Sequence, residues 1–136
     1  MKGEVMKMRV AGRWLPVAGW MAFIYALSAQ PSFPDLGLSD SAKDATEVAV
    51  HFGLYAMLGF LVSRTVALNG DRSVARIAMV LAVCAAFALS DEWHQSFVPN
   101  RTADVVDWIV DLAGAVTGCL LYMRLARRLE ATTVPR

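Results

Sequence analysis

Apolar residues occur in four long blocks along this chain, and most polar residues lie between them. The blocks cover about residues 12–29, 48–68, 75–90 and 105–125. A membrane-spanning helix needs about 20 mostly apolar residues, and each block reaches or approaches that length. None of them shows the alternation of apolar and polar residues that is typical of membrane β-strands. The pattern therefore predicts an all-α membrane protein, a single four-transmembrane-helix bundle over residues 1–136.

Composition supports a protein whose main partner is the lipid bilayer. Hydrophobic residues make up 57% of the chain and charged residues 18%, whereas a soluble domain has about 25% charged residues. The net charge of +1 excludes a strongly basic nucleic-acid-binding protein, so we expect no nucleic-acid partner. Cys84 and Cys119 both lie inside apolar blocks, which favours buried thiols over a disulfide or a metal site.

The basic residues indicate how the helices cross the membrane. Eleven of the thirteen lie before or at the start of the first block, between or at the adjoining ends of the second and third, or at or after the end of the fourth: Lys2, Lys7, Arg9, Arg13, Arg64, Arg72, Arg76, Arg124, Arg127, Arg128 and Arg136. The positive-inside rule places those segments, and with them both termini, in the cytoplasm. A basic start followed by small residues at 26–29 also fits a signal peptide. We expect an uncleaved first span, because it keeps the charge asymmetry consistent over four helices.

Ionisable side chains near membrane spans need an explanation, and here they concentrate at the opposite end of the spans. They form the predicted polar pocket: His51, Tyr55, Asp91, Glu92, His94, Gln95, Arg101, Asp107 and Asp111. Only Lys and Arg determined the topology, so the grouping of the other polar residues at one end agrees with it independently. We expect a pocket that opens to the extracytoplasmic face. Tyr55 as an interfacial aromatic, and residues 91–95 as a solvated loop, are alternatives.

Helical phase predicts which face of the fourth span points into the bundle. Asp104, Asp107 and Asp111 share a narrow arc with Gly114 and Gly118. The two glycines form a GxxxG pair that permits a close helix contact, either within the bundle or between copies. The oligomeric state therefore stays open. Asp104 is expected to cap the helix, whereas Asp111 lies too deep to be a cap.

Two segments resemble the VanZ-like family of bacterial membrane proteins. The segment 88–101, with its Asp-Glu-x-His-Gln run and Arg101, resembles the family signature, as does the later series of Asp107, Gly114 and Gly118. The segment 51–55 is similar to the His-Phe-x-x-Tyr element, and 28–31 to the end of the first span. The resemblance extends over roughly residues 14–121. It implies a multi-pass protein of the bacterial cytoplasmic membrane, and the family's namesake is associated with teicoplanin resistance.

Two positions depart from the pattern that the resemblance implies. The family commonly has Lys three residues before the His, where this chain has Val48, and Asn four residues after the Asp, where it has Asp111. Both changes make the site less positive or more negative. The resemblance therefore does not fix how a family ligand would bind here.

Two classes of function fit these residues. The first is a binding or envelope-modulating protein whose pocket engages a lipid-linked or cell-wall precursor, with Arg101 recognising phosphate or carboxylate. The second is a hydrolase or transferase that acts on lipid-linked phosphate. In it His51 or His94 would be the nucleophile or base, oriented by Glu92 or Asp107. No recognisable catalytic signature accompanies these residues, so whether the protein is an enzyme stays open and no catalytic residue is assigned.

Two further interpretations concern the same residues. A divalent ion on His51, Glu92, His94 and Asp107 matches no standard ligand spacing, so we expect neither a metal nor another cofactor. A purely structural network could pin the four helices together. Three Asp against one Arg make such a network too acidic unless protons, cations or a ligand join it. Binding is therefore the preferred hypothesis.

Overall fold

The described residues form four α-helices and the short segments that flank them. The structure is a computed structural model that describes residues 2–31, 39–66, 73–99, 101 and 104–133, with side chains between residues 12 and 132 of these ranges. The helices are α1 Lys2–Ser28, α2 Asp40–Val66, α3 Val74–Gln95 and α4 Val105–Thr133. The basic residues Arg72 and Arg136, used above for topology, lie outside the described residues.

The helices run alternately up and down, so α1 and α3 end where α2 and α4 begin. Two contacts fix this end of the bundle, Ser28 with Asp91 and His51 with Asp111. At the other end, the Thr65 hydroxyl donates a hydrogen bond to the Arg13 carbonyl. Successive helices of this topology need only short connections. We refer to the end that contains Asp91 and Asp111 as the polar end.

Three of the four helices, α2, α3 and α4, are long and apolar enough to cross a membrane among the residues that the structure describes. The sequence predicted four such spans. The fourth predicted span lies in α1, whose apolar part from Trp14 to Ser28 is shorter, and it stays a prediction. At 1.5 Å per residue that part is about 22 Å long, less than the roughly 30 Å of a bilayer core.

The outside of the bundle is apolar, as expected of helices that lie in lipid. Large hydrophobic side chains such as Leu15, Phe23, Met79 and Leu120 are exposed on it. Exposed apolar surface of this extent is unusual for soluble monomers and typical of membrane or interaction surfaces. A smaller core packs between the helices, and it contains both cysteines as free thiols, which confirms that prediction.

Glycines bring α2 and α4 into backbone contact. A Cβ atom added at Gly118 would lie 1.8 Å from the Ala56 carbonyl oxygen, and one at Gly114 would lie 2.4 Å from that of Phe52. From the opposite side, a Cβ at Gly59 would lie 2.2 Å from the Ala115 carbonyl oxygen. Of the two alternatives for these glycines, the structure shows the contact within the bundle: the GxxxG face of α4 packs against α2.

The end of α3 differs from one sequence alternative. Residues 91–95 were open to interpretation as a solvated loop, but they form the last turns of α3. Asp91, Glu92 and Gln95 are buried there. The helix continues because α1, α2 and α4 surround its end and supply hydrogen-bond partners for these side chains.

Candidate functional site

His51 and Asp111 form a buried pair between α2 and α4. The His51 Nδ1 atom lies 3.1 Å from Asp111 Oδ1, and Asp111 is fully buried. Asp111 lies one turn before Gly114, whose contact with α2 brings the two helices close enough for this bond. Helix packing therefore determines the distance, and the hydrogen bond offsets part of the cost of burying both groups.

Asp91 gathers hydrogen bonds from three helices. Its Oδ2 accepts a hydrogen bond from the Ser28 hydroxyl at 2.8 Å. The Tyr55 hydroxyl and the Gln95 amide each lie 3.5 Å from the same oxygen. Tyr55 is 1% exposed, so it is a buried donor rather than the interfacial aromatic that the sequence left as an alternative. Asp91 also lies close enough to Asp111 for the two carboxyl groups to interact electrostatically.

Glu92 connects α3 to the start of α4. Its Oε2 accepts a hydrogen bond from the backbone N–H of Asp104 at 3.0 Å. Asp104 caps α4, because its Oδ1 accepts the N–H of Val106 at 2.8 Å. The capping role predicted for Asp104 is confirmed.

His94 faces α1 rather than the other histidine. Its Nδ1 lies 2.9 Å from the Tyr25 hydroxyl, and the two rings are stacked with centroids 4.0 Å apart. The hydroxyl and the ring face of Tyr25 therefore both hold this imidazole. The sequence assigned His51 and His94 to one pocket. In the structure they have different partners, Asp111 for His51 and Tyr25 for His94.

Arg101 and Asp107 lie at the rim of the polar end. The Arg101 guanidinium donates to the Glu47 carboxylate through Nη1 and to the Gln30 carbonyl through Nε, the latter at 3.4 Å. Asp107 is half-buried, with His51, Glu47 and Arg101 among its electrostatic neighbours. The sequence did not predict Glu47 as a partner of Arg101, although Glu47 lies one turn before His51 on α2.

Four buried side-chain atoms at the polar end have no hydrogen-bond partner within the described part of the chain. They are Asp91 Oδ1, Glu92 Oε1, His94 Nε2 and Asp111 Oδ2. Buried polar groups in native proteins nearly always have partners, and leaving one unsatisfied costs about 1–3 kcal/mol. Four such atoms at one end of a small bundle therefore point to a missing donor, proton or ligand.

The predicted residues are thus distributed over neighbouring contacts at one end of the bundle. Six of them form a buried group on α2, α3 and α4, and three lie around it: His51, Tyr55, Asp91, Glu92, Gln95 and Asp111 in the group, and His94, Arg101 and Asp107 around it. No three His, Cys, Asp or Glu side chains among the described residues are arranged to hold a metal ion.

The contacts of the two histidines bear on the hydrolase alternative. That alternative has Glu92 or Asp107 orienting a catalytic histidine. In the structure, Asp111 contacts His51 and Tyr25 contacts His94, so neither histidine has the partner that this alternative assigned to it.

The sequence analysis gave no role to three residues that the structure joins to the site, namely Tyr25, Ser28 and Glu47. Ser28 belongs to the 28–31 element of the family resemblance, which was the one signal for it.

Comparison with known proteins identifies one family. The family model described as VanZ/LLP1 matches residues 13–127, which covers most of the chain and all of the polar end. No curated protein and no solved structure matches the chain.

Proposed function

Because this chain belongs to the VanZ/LLP1 family, we propose that it is a multi-pass protein of the bacterial cytoplasmic membrane that binds a cell-envelope component at its polar end. In this proposal α1 is a fourth, short span and both termini are cytoplasmic. The polar end then faces outward, where lipid-linked cell-wall precursors are displayed. The distribution of Lys and Arg supports this orientation.

One observation carries the proposal. Asp91 Oδ1 and Asp111 Oδ2 are buried acceptor atoms with no hydrogen-bond partner among the described residues, on two helices that pack against each other. Carboxyl oxygens accept hydrogen bonds from hydroxyl, amide and ammonium groups. Sugar hydroxyls and peptide amides of a cell-wall precursor are such donors. A ligand that supplied them would satisfy atoms for which the described part of the chain provides no partner.

Arg101 would recognise the acidic part of the same ligand. Its guanidinium already binds Glu47, so a phosphate or carboxylate of the ligand would share or replace that carboxylate. The Glu47 contact keeps the side chain positioned at the rim while the site is empty of ligand. In this proposal the buried carboxyl groups bind hydrogen-bond donors of the ligand, and Arg101 at the rim binds its acidic group. A lipid-linked precursor is an amphiphile that has both kinds of group.

Native mass spectrometry of the purified protein tests this proposal. We expect wild-type protein in mild detergent to retain an added polyprenyl-linked cell-wall precursor, and an Arg101→Ala/Asp107→Asn variant to lose it. Asp91→Asn/Asp111→Asn should weaken retention at least tenfold. The matched control is Asp40→Asn, because Asp40 is exposed at the start of α2. Equal retention by all four proteins would refute the proposal and favour an internal structural network.

Teicoplanin susceptibility tests the same proposal in cells. If the protein engages cell-wall precursors, its expression in a sensitive bacterium should raise the teicoplanin concentration needed to stop growth. The Arg101→Ala/Asp107→Asn variant should have no effect at equal membrane abundance. If this variant protects the cells as strongly as the wild-type protein, resistance does not depend on Arg101 and Asp107 at the polar end.

A further inference from the structure

A groove of about 970 Å³ lies between α3 and α4 on the outside of the bundle. Apolar side chains form most of its wall, among them Ala86, Leu89 and Trp108. Its lining also includes two acidic residues, Glu92 and Asp104. The groove is open along one side, so in a membrane it would be in contact with lipid.

The lining changes in character along the groove. Ala86 and Leu89 precede Glu92 by one to two turns of α3, so they lie farther from the polar end. Glu92 and Asp104 lie at the polar end itself, where α3 ends and α4 begins. No basic side chain lines the groove in the described part of the chain. An occupant should therefore be an amphiphile. Its apolar chain would lie in the part of the groove away from the polar end, and a cationic or hydrogen-bond-donating headgroup would lie at the polar end.

Glu92 has a buried carboxyl oxygen without a partner among the described residues, which is a second observation that favours a ligand in the groove. The residue is 6% exposed, and one of its oxygens is occupied by the backbone N–H of Asp104. The other, Oε1, is buried and has no partner within the described residues. When the carboxyl group is ionised, this oxygen is an acceptor that a group donating a hydrogen bond would satisfy. A primary ammonium can donate, whereas a quaternary ammonium has no N–H with which to do so.

We propose that the groove binds one membrane lipid with a primary ammonium headgroup, whose acyl chain lies along Ala86, Leu89 and Trp108 and whose ammonium group meets Glu92. The inference goes beyond the function proposed above. Of the residues of the predicted polar pocket, it involves only Glu92, and not Arg101, Asp91 or Asp111. Arg101→Ala should therefore leave binding in the groove unchanged, so failure of one proposal is distinguishable from failure of the other.

Lipid photocrosslinking tests the groove with the full chain. The protein is reconstituted in phosphatidylcholine vesicles that contain a small fraction of either phosphatidylethanolamine or phosphatidylcholine with the same photoactivatable acyl chain. We expect the ethanolamine lipid to label the protein at least fivefold more, on peptides of α3 and α4. Ala86→Trp should fill the groove and reduce that labelling at least fivefold. Ala82→Trp is the matched control, an exposed alanine one turn away that does not line the groove.

Two further variants keep the test decisive. Glu92→Gln keeps an oxygen for the Asp104 N–H but removes the charge, so the preference for ethanolamine should disappear while choline-lipid labelling stays the same. Leu89→Trp blocks the same wall if Ala86→Trp does not fold, as judged by helical circular dichroism. Equal labelling by the two lipids would overturn the headgroup assignment. Undiminished labelling in folded Ala86→Trp or Leu89→Trp would overturn the location.

Discussion

The His51 ring and the Asp111 carboxylate meet at 3.1 Å across the contact where α2 and α4 touch through glycine. Gly114 lies one turn from Asp111, and its missing side chain is what allows the helix backbones to approach. A wider separation would carry the two groups beyond hydrogen-bond distance. Backbone packing and site geometry are therefore linked: the glycines determine whether this pair can form.

Asp111→Asn should be tolerated, whereas Asp111→Leu should destabilise the protein. The Asn side chain keeps an oxygen that can accept a hydrogen bond from His51. Leu would leave a buried imidazole without its partner, at a cost of about 1–3 kcal/mol. The free energy of unfolding in mixed detergent and SDS micelles measures both effects.

His51→Ala/Asp111→Leu completes the comparison for this pair. Removal of both partners should cost less than the sum of the two single changes, because no unpaired polar group remains. A double variant whose loss equals that sum would contradict a hydrogen bond between the two side chains.

Gly118→Ala should separate α2 from α4. The added Cβ would lie 1.8 Å from the Ala56 carbonyl oxygen, which is backbone and cannot rotate away. Overpacking commonly costs 1–3 kcal/mol, and we expect about 3 kcal/mol here because the backbone must move. Gly53→Ala is the matched control on α2, with no atom within 4 Å of its added Cβ. It should be neutral or stabilising by up to about 1 kcal/mol.

The sequence allowed the four helices and the grouping of polar residues at one end to be predicted, because both depend on properties within one helix. Apolar block length indicates a helix, and helical phase places Asp111 on the same face as Gly114. The apolar part of α1, from Trp14 to Ser28, is short for a span, so a fourth span there stays a prediction.

The partners within the site could not be predicted, because they depend on the register between helices. Nothing local places Ser28 beside Asp91 or Tyr25 beside His94, which are 63 and 69 residues apart in the chain. Arg101 likewise binds Glu47 of a different helix. A side chain's helical face is a property of its own sequence, whereas the depth at which two faces meet depends on side-chain packing throughout the bundle.

Ser28→Ala should weaken the connection between α1 and α3. The Ser28 hydroxyl donates to Asp91 at 2.8 Å, and both side chains are buried. Its removal takes the shortest of three donors from a buried carboxyl group, so we expect a loss of about 1–3 kcal/mol in the free energy of unfolding. Ser90→Ala is the control, since among the described residues that exposed hydroxyl donates only to the Phe87 carbonyl of its own helix. Equal effects of the two changes would contradict a specific role for the Ser28–Asp91 bond.

Cysteine labelling in intact bacterial cells should determine the orientation of the bundle. Cys84 and Cys119 are buried, so wild-type protein should react little with a membrane-impermeant maleimide. Ser96 is exposed at the polar end and Thr132 near the end of α4. Because the basic residues predict a cytoplasmic C-terminus, Ser96→Cys should react in intact cells and Thr132→Cys only after permeabilisation. The reverse result would show that the polar end faces the cytoplasm, and an extracytoplasmic ligand would then be excluded.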